Sequence, residues 1–183
     1  MNTRSASARR SARAPGASPS VPDTVAIRAA RGEDLPQIVA LDAAITGVAK
    51  RTHWKRLIER TSRPRDPEGC FLIAETPQER GTALLGFIEG EIRAWEFGSA
   101  PCGWVHVLGV HPEARLHGLG QRLLDALASE FKRAGVTRMR TMVLRDDRVV
   151  MQFFRAAGMM AGPYLELEKE LEAQGKRDLL AAV

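Results

Sequence analysis

The sequence is poor in cysteine and aromatic residues, and it has no long apolar segment. Only two cysteines occur in 183 residues, Cys70 and Cys102, and neither belongs to a C-x-x-C pair or has the spacing of a metal site. This excludes a disulfide-stapled secreted scaffold and predicts free thiols without a bound metal. No apolar segment approaches the roughly 20 residues that a membrane-spanning helix needs, so we expect no membrane association.

Acidic residues are absent from the first 22 residues, which contain four arginines among serine, alanine, proline and glycine. Because the whole chain has a formal charge of +5, only +1 is left for residues 23–183. We therefore expect a nearly neutral folded part with no nucleic-acid partner, preceded by a disordered basic tail over residues 1–22. The tail lacks the apolar segment of a secretion signal. Its composition also resembles that of an organelle transit peptide, but we expect a cytoplasmic protein.

The remaining residues predict one domain over residues 23–172 and a C-terminal extension over residues 173–183. The apolar fraction of 44% and the charged fraction of 27% are those of an ordinary soluble domain. The spacing of apolar residues predicts ten elements in the order β-α-α-β-β-β-α-β-α-β. They are a strand at 24–28, a helix after an N-cap at Asp34, a helix at 50–60, strands at 70–74, 84–97 and 104–110, a helix at 118–133, a strand at 139–144, a helix at 147–157 and a strand at 164–171.

The segment from Val107 to Gln121 has the most specific chemical pattern. A buried strand is expected to end at Val110, and glycines at 118 and 120 coincide with the start of a helix. The first amides of a helix have no internal acceptor and favour anions, and glycine lets a ligand approach the backbone closely. Arg115 adds a charge suited to phosphate oxygens. The pattern indicates a phosphate-binding turn that is neither a P-loop nor G-x-G-x-x-G, although a tightly packed helix start without a ligand also fits.

Two motifs in this half of the chain match a known family. Arg115-Leu116-His117-Gly118-Leu119-Gly120 matches an Arg/Gln-x-x-Gly-x-Gly/Ala signature, and residues 147–159 are similar to the second motif of the same family. Over residues 24–171 the chain thus resembles the GNAT superfamily of N-acetyltransferases. The resemblance implies an α+β fold with a mixed, mostly antiparallel sheet, helices on both faces and a splayed cofactor cleft. It also implies direct transfer of an acetyl group from acetyl-CoA to an amine of a small molecule, an amino acid or a peptide N-terminus.

The resemblance further implies which residues hold acetyl-CoA. Backbone groups of the strand before the signature would pair with the pantetheine arm, and amides from about Leu116 to Gln121 would hold the pyrophosphate. Asp147 replaces the family's Asn and can accept a hydrogen bond from pantetheine but cannot donate one. Phe154 would pack near the thioester. The complete implied set is Leu108, Gly109, Val110, Arg115, Leu116, His117, Gly118, Leu119, Gly120, Gln121, Asp147 and Phe154.

The candidate general bases lie on two neighbouring strands. His106 is the first candidate, because an imidazole titrates close to neutral pH and because the arylalkylamine branch of the family has a catalytic histidine at the matching position. The alternative is a structural histidine bonded to the next strand. Glu89, Glu91 and Glu96 compete for the role, although strand glutamates are usually only solvated.

Two further features leave the activity open. The family's usual tyrosine acid is replaced by Phe154, so that water or the only tyrosine, Tyr164, would have to protonate the leaving thiolate. A domain that binds acyl-CoA without turnover, as a sensor or assembly part, is therefore the alternative to an enzyme. No motif encodes the identity of the acceptor. Many relatives are dimers, so the resemblance allows a homodimer. Candidates for the acceptor pocket, each with core packing as its alternative, are His53, Trp54, Trp95 and Trp104.

Overall fold

The computed structural model describes residues 24–62, 69–78, 81–95 and 98–171. The basic tail predicted over residues 1–22 and the extension predicted over residues 173–183 lie outside these residues. Within the described part of the chain, no helix combines the length and the apolarity that crossing a membrane requires.

Five strands of the described residues form one sheet, in the order in which they occur in the chain. The first four pair antiparallel, whereas the fifth pairs parallel to the fourth. This confirms the mixed, mostly antiparallel sheet that the family resemblance implies. The strands are β1 (Ala26–Ala29), β2 (Gly69–Pro77), β3 (Thr82–Arg93), β4 (Cys102–Val110) and β5 (Met139–Thr141).

In the described part of the chain, four α-helices cover the two faces of the sheet. They are α1 (Leu35–Thr46), α2 (Arg51–Thr61), α3 (Leu119–Arg133) and α4 (Arg148–Ala156). The alternation of β2 shows how the faces are divided: Phe71 and Ile73 pack with α1 and α2, and Leu72 and Ala74 pack with α3. Because successive strand residues point to opposite faces, a strand with apolar residues at every position needs a cover on both sides.

The N-terminal helices have the buried faces that their sequences predict. Trp54, Leu57 and Ile58 are buried on α2, as expected, and the indole Nε1 of Trp54 donates to Asp42 Oδ2 at 2.8 Å. Asp34 occupies the N-cap position of α1, but its side chain makes no capping bond. Its carboxylate instead accepts from Arg28 of β1 at 2.8 and 2.9 Å, which links β1 to the start of α1.

The prediction of a strand at residues 164–171 was wrong. Residues 165–171 have no regular structure, and Leu165, Leu167 and Leu171 are 84%, 92% and 81% exposed. Alternating polar and apolar residues form a strand when one face is buried against a core, and nothing in the described chain covers these leucines. Two other predicted strands are shorter than expected, because β3 ends at Arg93 and β5 ends at Thr141.

Candidate active site

The open edge of β4 is the first component of the site. Only Gly103, Trp104 and Val105 pair with β5, and beyond Thr141 the two strands separate. The backbone N–H of His111 donates to Leu85 of β3 at 2.8 Å. Since strand residues present their backbone groups to alternate sides, those of Leu108 and Val110 face away from β3 into the gap. The structure thus leaves a strand edge available to an extended, amide-bearing ligand.

The turn after β4 ends in a row of unpaired amides. Leu116 and Gly118 have positive φ values of 66° and 78°, and Gly118 is the N-cap of α3. Among the described residues, none of the backbone amides at 116–121 donates to a protein acceptor, and the first paired amide is that of Arg122, bonded to the Gly118 carbonyl at 3.0 Å. Arg115 lies beside this turn, with its Nε donating to the Val110 carbonyl at 3.2 Å. Converging amides at a helix start bind an anion such as a diphosphate.

The glycines of this region are required for different physical reasons. An added Cβ at Gly118 would meet nothing within 4 Å, so its requirement is the positive φ alone. At Gly109 an added Cβ would lie 2.5 Å from the ring of Phe87, and at Gly120 it would lie 3.2 Å from Phe153. Gly109 and Gly120 therefore also serve internal packing, as the ligand-free interpretation of the sequence allowed.

A β-bulge places His106 on the face covered by α2. Glu89 of β3 pairs with Val107, whereas the next residue, Gly90, pairs with Val105, so that β4 has one extra residue at His106. Bulges of this kind redirect a side chain and are frequent next to active sites. The His106 side chain is 29% exposed, at the point where β4 begins to separate from β5.

The imidazole of His106 is held by a buried carboxylate. Its Nδ1 lies 3.1 Å from Oε2 of Glu89, whose side chain is only 2% exposed. Arg60 of α2 balances the charge of Glu89, with Nη2 at 3.1 Å from Oε1. A carboxylate on Nδ1 orients the ring, as in a base–orienter pair.

A second carboxylate and a second arginine surround Nε2. Arg93 donates from Nη2 to His106 Nε2 at 3.2 Å and from Nε to Glu91 Oε1 at 2.8 Å. Glu91 also pairs with Arg60 at 3.2 Å. Burial would raise the pKa of Glu91, but the hydrogen bond from Arg93 and the positive charges of His106, Arg60 and Arg93 outweigh it and lower that pKa. Glu91 Oε1 also lies 3.5 Å from His106 Nε2, so a guanidinium and a carboxylate both face that nitrogen.

Comparison with known proteins identifies the family. The model of the acetyltransferase (GNAT) family matches residues 35–159, which is more than half of the chain. The chain belongs to this family. It is an acyltransferase with acetyl-CoA as its co-substrate, and the open strand edge and the amide row are the features of its structure that suit a pantetheine arm and a diphosphate.

Solved structures with this fold include three named acetyltransferases. The aminoglycoside N-acetyltransferase AAC(6')-Iy, in complex with CoA, is 16% identical with a TM-score of 0.67, over 82% of this chain and 98% of that one. AAC(6')-Ih from Acinetobacter baumannii is 16% identical with a TM-score of 0.66, over 80% and 99%. The ribosomal-protein-alanine N-acetyltransferase from Brucella melitensis biovar Abortus 2308 is 17% identical with a TM-score of 0.62, over 80% and 99%. At these identities the likeness shows the fold.

The second GNAT motif lies on α4 and has structural contacts of its own. Asp147 caps the helix by accepting from the Val150 amide at 3.0 Å. Phe154 is 8% exposed and belongs to the core cluster beneath α3. Tyr164 stacks on Arg140 of β5, with the guanidinium carbon 4.7 Å from the ring centre. The roles in acetyl-CoA binding that the resemblance implies for Asp147 and Phe154 stay predictions.

The aromatic candidates divide between the core and the site. Trp54 is buried among Phe71 and Phe87, and His53 packs against its edge. Trp95 is 76% exposed, whereas Trp104 lies beneath the guanidinium of Arg93 at 5.0 Å. Glu96, the third candidate glutamate, lies outside the described residues.

Sequence reasoning missed Arg60 and Arg93, which belong to no motif. The only available signal was a weak one, the placement of Arg93 two residues after Glu91 on one strand face.

Proposed function

We propose that the protein transfers the acetyl group of acetyl-CoA to the amine of a small molecule, with His106 as the general base. The observation that carries this proposal is the contact between His106 Nδ1 and the buried Glu89 carboxylate, next to the open edge of β4. The relatives named for aminoglycoside acetylation support a small-molecule acceptor, and the one named for ribosomal-protein alanine keeps a peptide N-terminus as the alternative.

The residues suggest how the transfer proceeds. Near pH 7 an aliphatic amine is mostly protonated, so His106 Nε2 accepts its proton, directly or through one water, once Arg93 Nη2 has moved aside. Glu89 stabilises the imidazolium that forms. The amine nitrogen then attacks the thioester carbon, and a backbone amide of β4 that faces the gap donates to the developing oxyanion. The carbon–sulfur bond then breaks and the nitrogen loses its second proton to water. Because thiols titrate near pH 8.5, a thiolate can leave without a tyrosine acid at Phe154.

Release of free CoA thiol from acetyl-CoA tests the proposal. The amine panel contains amino acids, simple alkylamines, an aminoglycoside and a short peptide with a free N-terminus. His106→Ala should lower kcat by about 10² to 10⁴-fold, the usual contribution of a general base, with little change in acetyl-CoA affinity by calorimetry. His53→Ala is the matched control, because that histidine packs on Trp54 and not on the Glu89 carboxylate. Saturable acetyl-CoA binding without thiol release for any amine would contradict the proposal and favour the binding module.

A further inference from the structure

The guanidinium of Arg93 lies on the nitrogen of His106 that the proposed reaction uses. Its Nη2 is 3.2 Å from His106 Nε2, and its Nε donates to Glu91 Oε1 at 2.8 Å. The same oxygen of Glu91 is 3.5 Å from His106 Nε2. A cation whose nitrogens can only donate hydrogen bonds therefore lies against an imidazole nitrogen and a carboxylate oxygen that are close together.

These three side chains can be reached from solution. The side chains of Arg93, His106 and Glu91 are 32%, 29% and 21% exposed, whereas that of Glu89 is 2% exposed. A solute that displaces the Arg93 guanidinium can therefore contact both Glu91 Oε1 and His106 Nε2. The buried carboxylate of Glu89 stays behind the ring and keeps its contact with Nδ1.

The two acceptors at this point define the chemical class of the ligand. A carboxylate oxygen accepts hydrogen bonds, and an imidazole that can take a proton at Nε2 presents a lone pair there. A primary alkylammonium has one positive charge and three N–H donors, so it can supply both of the hydrogen bonds that Arg93 supplies. Arg93 also has contacts that do not involve this point, since its guanidinium carbon lies 5.0 Å from the ring centre of Trp104 and the side chain has a further interaction besides.

We infer that the acceptor amine binds as an ammonium ion between Glu91 Oε1 and His106 Nε2, in the place that the Arg93 guanidinium occupies in the structure. The inference rests on the proposed function and gives Glu91 the role of holding the acceptor. One proton of the ammonium passes to Nε2, where Glu89 balances the imidazolium, and the nitrogen retains the lone pair that attacks the thioester. Arg93 competes with the acceptor and so selects cations that donate hydrogen bonds.

Arg93→Met tests the competition, with the panel amine that gives the fastest release of CoA thiol. The KM for this amine should fall by about tenfold, the value of one charge-assisted hydrogen bond that no longer has to be displaced, with little change in kcat. Arg138→Met removes an equal charge from an exposed arginine next to β5 and should leave KM unchanged. Glu91→Gln should raise KM by about tenfold, since the ammonium loses its charged acceptor.

Methylguanidinium, a copy of the Arg93 head group, is the second probe. It should inhibit competitively with the amine, and about tenfold more strongly in Arg93→Met than in the wild type. Adding Glu91→Gln to Arg93→Met should abolish this gain. Tetramethylammonium has the same charge but no N–H group, so it should inhibit both proteins equally weakly.

The outcomes separate this inference from the proposed function. Melting temperature and acetyl-CoA affinity are measured for each variant, and Arg93→Gln gives the same comparison if methionine lowers the melting temperature. An amine KM that is unchanged or raised in a folded Arg93 variant, or methylguanidinium inhibition that does not compete with the amine, would overturn the inference and leave the acetyltransferase proposal intact. No turnover of any amine, with acetyl-CoA bound, would overturn both.

Discussion

The two sides of the β4 strand differ in what they offer a ligand. Toward the gap, the strand edge and the turn at residues 116–121 present backbone groups that lie close together in the chain. On the face covered by α2, the groups are side chains brought together from a distance, since Arg60 and Glu89 are 29 positions apart and Glu89 and His106 are 17 apart. The backbone side suits a co-substrate common to a family. The side-chain side can change from one member to another, because each position is an independent choice of residue.

The largest expected effect comes from the side-chain side. Glu89→Gln keeps the shape of the side chain but removes the charge that stabilises a protonated His106, so kcat/KM for the amine should fall by about 10²-fold, at the lower end of general-base contributions. Acetyl-CoA affinity should stay within about twofold, since the turn at 116–121 is built of backbone groups. Steady-state kinetics and calorimetry measure the two quantities.

The control for this variant is Glu59→Gln, an exposed glutamate that pairs with Lys55 on α2. Equal losses in amine turnover and in acetyl-CoA affinity for Glu89→Gln would show that the two sides are one coupled site.

An intermediate effect is expected on the backbone side. Gly118→Val forces a β-branched residue into a positive φ, which costs about 1–2 kcal/mol or more. If the turn shifts to relieve that strain, acetyl-CoA affinity should fall by about tenfold. The pH dependence of kcat, which reports proton transfer, should be unchanged. Leu116→Ala removes a fully exposed side chain without changing the backbone and should bind acetyl-CoA like the wild type. A larger loss for Leu116→Ala than for Gly118→Val would mean that side chains, and not amides, hold the co-substrate.

The smallest expected effect is a pH dependence of stability on the side-chain side. The pKa of Glu91 is lowered in the folded protein, where the bond from Arg93 and nearby positive charges outweigh the effect of burial. The contribution of the Glu91 charge to folding stability is therefore complete above the ordinary carboxyl pKa of about 4.3. It is lost as the pH falls through the lower pKa that Glu91 has in the folded protein. Glu91→Gln should be less stable than the wild type at pH 7, and the difference should shrink as the pH falls below the ordinary carboxyl pKa.

Urea unfolding at several pH values measures this difference. Glu113→Gln is the control, because Glu113 has no ion pair among the described residues. A difference between Glu91→Gln and the wild type that stays constant from pH 7 to pH 3 would show that the Glu91 charge does not contribute.

Most elements of the fold could be predicted because each has a local pattern. The apolar spacing of α3 and the change from β4 to a glycine-containing turn depend on neighbouring residues, and both are confirmed. The strand predicted at residues 164–171 failed because alternation needs a surface to bury it, and those leucines remain exposed. Asp34 was expected to cap α1, but Arg28, across the start of the sheet, is the stronger partner for its carboxylate.

The candidate site could be predicted only in part, for the same reason. His106 and Glu89 were chosen separately as competing bases, whereas the structure joins them in one hydrogen bond. Arg60 and Arg93 have no motif, and their relevance appears only when α2 and the end of β3 meet at His106.

The sequence by itself predicted the family and the turn of unpaired amides, because amides at a glycine-flanked helix start are a local property of about ten residues. Only the tertiary structure decided the environment of His106, where a bulge, a helix and two strands bring together charges that lie far apart in the chain. It also placed Trp104 and Arg140 side by side, since the pairing of β4 with β5 is a long-range contact that no local pattern encodes.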